Sequence, residues 1–177
     1  MTASAKNKLA PMTQGVEALA RLLDQLIARH EALHTVIADK LESMRRSDVP
    51  AMLEASAREA AMTDEILKLD QQRAAVATDL ATRMQWPANV TVRIRALAAR
   101  LEPAAAKKLI DRADVLREKM LAVARANRVV ELVCKQMLQH MKAVFADLVH
   151  PDDSNRTYSA GGGVERPAGP QVFNTVV

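Results

Sequence analysis

The chain has 177 residues, of which 49% are hydrophobic and 2% aromatic, and its formal net charge is +4. A single cysteine excludes an intramolecular disulfide, and the scarcity of aromatic rings excludes a stacking platform for nucleic-acid bases. Basic and acidic residues are interspersed rather than gathered into a basic stripe, which is typical of solvated helix faces.

Alanine, leucine and methionine supply most of the apolar surface, and these residues favour helices that lie side by side. The first ten residues are polar and have no apolar run behind them, which argues against a secretory signal. No stretch approaches the roughly 18 apolar residues that a membrane span needs. The sequence therefore predicts a cytoplasmic, all-α protein.

The N-terminal half predicts an antiparallel helical hairpin. Residues 1–12 are predicted to form a flexible arm, and a first helix follows from about Thr13 to Arg46, with apolar residues at alternating spacings of three and four. The segment Ser47–Pro50 then breaks the chain, because Ser and Asp cap helix N-termini and proline fits the first helical turn. A second helix is expected to end near Met84, and so short a connection predicts antiparallel packing.

Two further helices are predicted in the second half. Trp86 and Pro87 end the second helix, since the residue before a proline avoids the α region. Asn89 or Thr91 could cap a short linker helix, and Pro103 begins a long last helix that runs to about residue 149. Its apolar residues follow a heptad pattern over more than five heptads, which includes Leu116, Met120, Val123 and Val130.

The composition changes after residue 150, where prolines and the run Gly161–Gly163 exclude a helix. Residues 151–177 are therefore predicted to be a disordered tail. Residues 13–150 are predicted to form one helical bundle domain. The expected fold is a long antiparallel hairpin or coiled-coil bundle with a short linker helix, a long C-terminal helix and a flexible tail.

The segment His30-Glu31-Ala32-Leu33-His34 matches the H-E-x-x-H signature of zinc peptidases. Two histidines four residues apart on a helix share a face and can bind one Zn²⁺, with the glutamate as general base. The extended form of the signature fails, because Ile37 stands where a glycine is required. An all-helical chain also offers no strands to build a substrate cleft, so chance is the better explanation, and we expect no metal, cofactor or catalytic residue.

The end of the last helix carries an apolar stripe wider than one partner helix needs. Methionine side chains are flexible and polarisable, and grooves rich in methionine accept varied helical partners. The alternative is that the whole face packs on the hairpin. The predicted binding residues are Val130, Val133, Cys134, Met137, Leu138, Met141, Val144, Phe145 and Leu148.

Asn127 interrupts the same heptad stripe upstream of these residues. A single asparagine in an apolar seam lowers stability but can fix the register or the choice of partner. A bond to a neighbouring helix or to water would explain it equally well. Asn127 is therefore a candidate determinant of register or specificity.

The order of these elements resembles the FlgN family of flagellar chaperones. The matching features are the leucine-rich first helix, the break at Ser47–Pro50, the linker helix, and a long last helix that carries Ala126-Asn127-Arg128. The tail segment Tyr158-Ser159-Ala160-Gly161 also looks like the tyrosine-small-glycine motif that follows the last helix in that family. The resemblance covers about residues 15–163.

The resemblance implies a chaperone that binds the terminal helices of hook–filament junction proteins, prevents their premature assembly, and delivers them to the flagellar type III export gate or its ATPase. It implies that the last helix is the client platform and that Tyr158 is a contact for the export gate. It also implies a monomer or weak homodimer. The main alternative is a homo-oligomeric coiled-coil adaptor or scaffold, and a zinc metallopeptidase is a distant one.

Overall fold

A computed structural model describes the backbone of residues 3–87 and 92–149 and the side chains of residues 12–87 and 92–146. Within these residues four helices follow one another: α1 (Ala3–Arg45), α2 (Val49–Arg83), α3 (Ile94–Ala98) and α4 (Pro103–Val149). The all-α class predicted from the sequence is confirmed. The chain divides into two compact units, Met1–Val130 and Glu131–Val177, and α4 contributes residues to both.

The first helix starts earlier than its sequence suggested. The prediction began it at about Thr13, because a proline such as Pro11 removes one backbone hydrogen bond from a helix interior. In the structure α1 begins at Ala3. Alanine, lysine and leucine dominate residues 3–10, and these strong helix formers favour a helical backbone on the N-terminal side of the proline.

A tight turn joins α1 to α2, as the segment Ser47–Pro50 predicts. Ser47 adopts a left-handed conformation with φ of 56°, and the N–H of Asp48 donates to the carbonyl of Ser43 at 2.9 Å. These are the features of a Schellman C-cap, which satisfies carbonyls left free at a helix end. Asp48 then caps α2, because its Oδ1 accepts a hydrogen bond from the N–H of Ala51 at 3.1 Å.

The two helices of the hairpin run antiparallel and pack closely. Lys40 of α1 donates to Glu59 of α2 at 2.9 Å, and Arg29 pairs with Glu65 at 3.1 Å, so positions rise along one helix as they fall along the other. Small side chains bring the backbones together on the α2 side, where Ala55, Ala77 and Ala81 are buried.

Gly15 of α1 lies directly against Leu80 of α2. A Cβ atom at this position would lie only 2.6 Å from Cδ2 of Leu80, whose side chain is fully buried. The interior of the bundle therefore has no room for a side chain at residue 15 unless Leu80 moves.

A second Schellman turn ends α2. Gln85 is left-handed with φ of 56°, and the N–H of Trp86 donates to the carbonyl of Ala81 at 3.0 Å. The linker helix α3 is shorter than the sequence suggested and begins after Arg93, which makes no side-chain cap. The predicted caps Asn89 and Thr91 lie outside the described residues.

The first part of α4 runs parallel to α1, and two ion pairs record the register. Arg112 donates to Asp24 at 2.8 Å, and Lys119 pairs with Glu31 at 2.8 Å, so each step of seven residues along α1 matches seven along α4. Leucine and valine fill the space between the helices at the same period. The buried residues of this seam on α4 are Leu109, Leu116, Val123 and Val130.

The first unit has one main hydrophobic core, to which all four helices contribute. Leu19, Leu23, Leu80, Leu97 and Leu109 are all fully buried within it. Leucine and alanine side chains thus supply the buried apolar area that aromatic rings supply in most domains of this size. Among the described residues, none of the helices is apolar over a stretch long enough to span a membrane.

Candidate functional site

The C-terminal part of α4 exposes a row of large apolar side chains. Phe145 is 59% exposed, Leu138 57% and Met141 52%. Val144 and Met137 are exposed as well, at 45% and 37%. Together these five residues are called the exposed stripe, and all of them lie in the second unit.

The members of the exposed stripe share one face of the helix. Their successive sequence positions differ by one, three, three and one, which at 100° per residue confines them to about a third of the helix circumference. The residues that separate them are polar or small, including Gln139 and Lys142. The helix is therefore amphipathic, with an apolar face of the kind that packs against another helix.

Charged groups border the stripe rather than interrupting it. Lys135 donates to Glu131, one turn earlier, at 2.6 Å, and both side chains are exposed. Such an exposed pair contributes little to stability. A partner that covers the stripe would therefore meet apolar side chains at the centre and a polar rim, which is the usual anatomy of a protein interface.

The other predicted binding residues are placed differently. Val133 and Cys134 are half-buried, while Val130 is buried as the last residue of the core seam in the first unit. The side chain of Leu148 lies outside the described residues, although its backbone belongs to α4. The structure thus brings five of the nine predicted residues together on one exposed face.

Asn127 is exposed, as is Met120 one heptad before it. The heptad pattern predicted that both positions would belong to a seam. In the structure only the alternate positions, such as Val123, are buried, and the neighbouring half-buried side chains include Lys119 and Ala126. The face of α4 that packs against the bundle therefore does not include Asn127.

The two histidines of the H-E-x-x-H match do not face a common site. His30 is buried, and its Nδ1 lies 2.8 Å from the carbonyl of Leu26, so this nitrogen is the one that carries a proton and donates. His34 is exposed, and Glu31 pairs with Lys119. No group of three or more His, Cys, Asp or Glu side chains in the described part of the chain could hold a metal ion.

Two further apolar residues of α4, Val129 and Leu132, are 45% and 46% exposed and were not among the predicted binding residues. They lie outside the heptad pattern, so periodicity gave no reason to single them out. Tyr158, the predicted contact for the export gate, lies outside the described residues.

Comparison with known proteins gives one family. No curated protein and no solved structure matches the chain significantly. The family model described as FlgN protein matches residues 12–166, which include α2, α3, all of α4 and most of α1. An all-α chain with this order of helices and this match belongs to the FlgN family, a family of flagellar export chaperones.

Proposed function

We propose that this chain is a cytoplasmic chaperone for hook–filament junction proteins, that the exposed stripe of α4 binds their terminal helices, and that the complex is delivered to the flagellar export gate. The exposure of Met137, Leu138, Met141, Val144 and Phe145 on one helical face is the observation that supports it. The family supplies the flagellar context.

The energetics of an apolar stripe suit a chaperone that must release its client. Covering apolar surface contributes roughly 25 cal/mol per Å² before the costs of association are subtracted. A client helix that is disordered when free must also be ordered on binding, which lowers the net affinity by several kcal/mol. The expected complex is therefore specific and still separable during export.

Methionine suits this role because its side chain adapts to different neighbours. Met137 and Met141 lie one turn apart, with Leu138 beside them, so a client helix would contact all three. Branched side chains at these positions would restrict the partners that could be accommodated. A surface of this kind accepts related helices from more than one client.

The decisive experiment introduces one charge on the stripe. Met141→Glu is expected to weaken binding of a purified hook–filament junction protein at least tenfold, because a buried unpaired carboxylate is strongly unfavourable. Gln139→Glu is the matched control, since it places the same charge on an exposed polar position of the same helix. Binding is measured by isothermal titration calorimetry.

Circular dichroism of both variants establishes that the helices are intact. Equal binding by the two variants, with helicity preserved, would remove the stripe from the client site. A wild-type chain that binds no junction protein and instead forms a stable homo-oligomer, seen by analytical ultracentrifugation, would favour a coiled-coil adaptor that covers the same stripe with its own copies.

A further inference from the structure

The first unit contains a pocket that is separate from the exposed stripe. Its volume is about 470 Å³, within the range of sites that bind small molecules or a few side chains. Residues 12–20 of α1, the end of α2, the turn between α3 and α4 and the first two turns of α4 form its walls. The lining residues are Met12, Thr13, Val16, Glu17, Ala20, Met84, Arg100, Leu101, Glu102, Ala105 and Lys108.

The inner surface of this pocket is apolar and adaptable. Val16 and Ala20 are buried on the α1 side, while Met84 and Leu101 are half-buried opposite them. Two methionines, Met12 and Met84, contribute flexible side chains. A concave apolar surface of this kind loses water readily when another apolar group enters.

Four charged side chains, two cations and two anions, line the mouth of the pocket. Glu17, Arg100, Glu102 and Lys108 are exposed and line the pocket, and no ion pair joins any of them to another described residue. Most charges along the hairpin, by contrast, are paired with a neighbour, as Lys40 is with Glu59. The guanidinium of Arg100 also lies 4.6 Å over the ring of Trp86, which favours this position of the side chain.

From this arrangement we infer that the pocket is a second docking site, which receives an amphipathic helix of a partner protein. Two or three apolar side chains, spaced three or four residues apart, fill a volume of this size. Acidic and basic side chains on the flanks of that helix pair with the cations and anions at the mouth. The balanced charge disfavours nucleic acid or an anionic membrane, which would need cations alone.

Methionine methyl groups provide a direct readout of this site. Met12 and Met84 line the pocket, Met137 and Met141 belong to the exposed stripe, and Met44 is buried elsewhere. The full chain is labelled with ¹³C in its methionine methyl groups and titrated with a stapled helical peptide of about 15 residues. The peptide has leucines on one face, with glutamates on one flank and lysines on the other.

The expected result is a saturable shift of the Met12 and Met84 signals, with Met44 unchanged. A peptide of the same composition in scrambled order is expected to leave all three signals in place. Shifts of Met137 and Met141 report binding to the stripe separately, so failure of the pocket and failure of the proposed function are distinguishable. The pocket assignment is independent of the client assignment.

Two pairs of variants test the mouth and the interior. Lys108→Glu is expected to weaken the peptide roughly fivefold at low salt, whereas Lys107→Glu, an exposed neighbour outside the pocket, leaves the affinity unchanged. Ala105→Trp fills the pocket and is expected to abolish the shifts. Ala104→Trp places the same ring on an exposed position outside it and preserves them.

Several outcomes would overturn this assignment. They are unmoved Met12 and Met84 signals at saturating peptide, equal shifts with the scrambled peptide, and equal weakening by the two lysine variants. Shifts that appear on raising the protein concentration without peptide would show that a second copy of the chain occupies the pocket, which also excludes the inferred occupant. An unchanged Met44 signal shows that the Ala105→Trp protein is folded. If that protein still binds the peptide, the pocket is not the binding site.

Discussion

At the scale of single residues, two of the described residues adopt backbone conformations that favour glycine. Ser47 and Gln85 both have φ of 56°, and each closes a helix through a Schellman turn. The left-handed region costs an ordinary L-residue about 1–2 kcal/mol, because Cβ crowds the following carbonyl. Both turns are therefore formed at some expense of stability, and both can be improved.

Gln85→Gly is expected to raise the free energy of unfolding by about 0.5–1 kcal/mol, because it removes the crowding while adding some entropy to the unfolded chain. Urea unfolding measures the change. Gln72→Gly is the matched control, since Gln72 lies exposed within α2, and it is expected to lower the stability by about 1 kcal/mol. A loss of stability with Gln85→Gly would contradict the role assigned to this turn.

The sequence predicted one of these turns better than the other. Ser47, Asp48 and Pro50 form a recognisable cap, and the structure bears out the break between α1 and α2 there. Near Gln85 the signal was the following Trp86 and Pro87, which indicated where α2 ends but not which residue turns left-handed. Nothing in a glutamine side chain favours that conformation, so only the backbone geometry reveals it.

At the scale of helices, the contact between Gly15 and Leu80 limits how closely α1 and α2 pack. Gly15→Ala is expected to lower stability by about 1 kcal/mol, because overpacking outweighs the better helix propensity of alanine. In a Leu80→Ala background the same change is expected to be stabilising, since the space that Cβ needs is then empty. Thermal unfolding of the four proteins completes this double-mutant cycle, and equal effects in both backgrounds would exclude the contact.

At the same scale, the ion pairs between α1 and α4 match the parallel register of the two helices, and their contribution to it can be measured. Glu31→Lys and Lys119→Glu are each expected to lower the urea midpoint, and the double exchange is expected to recover most of the loss. The recovery should shrink in high salt, because the pair is exposed and screened. Single variants that lose nothing at low salt would show that the register is fixed by the apolar seam alone.

The pair between Glu31 and Lys119 makes the stability of the fold depend on pH. The hydrogen bond and the charge of Glu31 raise the pKa of Lys119 above its usual 10.5, so the folded state holds that proton more tightly. The pair therefore stabilises the fold at neutral pH, and its contribution is lost as the pH rises above 10.5. The stability difference between wild type and Lys119→Ala, followed by urea unfolding, should narrow in that range and stay constant around neutral pH.

Periodicity predicted the helices more reliably than the way in which they pack. It located α2 and α4 to within a residue or two, because proline and cap signals mark their ends. It placed Met120 and Asn127 in a seam with Val123, although both are exposed. A heptad pattern identifies an apolar face, but the neighbouring helix selects which edge of that face is buried, and that neighbour comes from distant sequence.

At the scale of the whole molecule, the candidate site depends on apolar side chains that are exposed in the described part of the chain. The sequence identified this face from its width and its methionines, and five of its residues are exposed in the structure. Val130 was assigned to the same set because it continues the heptad pattern. Val130 is buried in the first unit, whereas the stripe is exposed in the second. One continuous heptad pattern therefore supplies core residues in one part of α4 and exposed apolar residues in another.

The role proposed for Tyr158 concerns the whole complex, because this residue is expected to contact the export machinery rather than the client. Tyr158→Ala is expected to leave client affinity unchanged and to reduce secretion of the client in the native organism several-fold. Tyr158→Phe separates the ring from the hydroxyl group. Secretion at the wild-type level by the alanine variant, with normal protein abundance, would remove this residue from the proposed mechanism.

The packing of Arg100 over Trp86 has a spectroscopic consequence. Trp86 is the single tryptophan of the chain and lies in the first unit, so intrinsic tryptophan fluorescence originates in that unit alone. Far-ultraviolet circular dichroism, in contrast, reports every helix. A dichroism transition without a matching change in fluorescence would come from helical residues remote from Trp86, which include the part of α4 that bears the exposed stripe. A client that abolishes this transition would stabilise those residues.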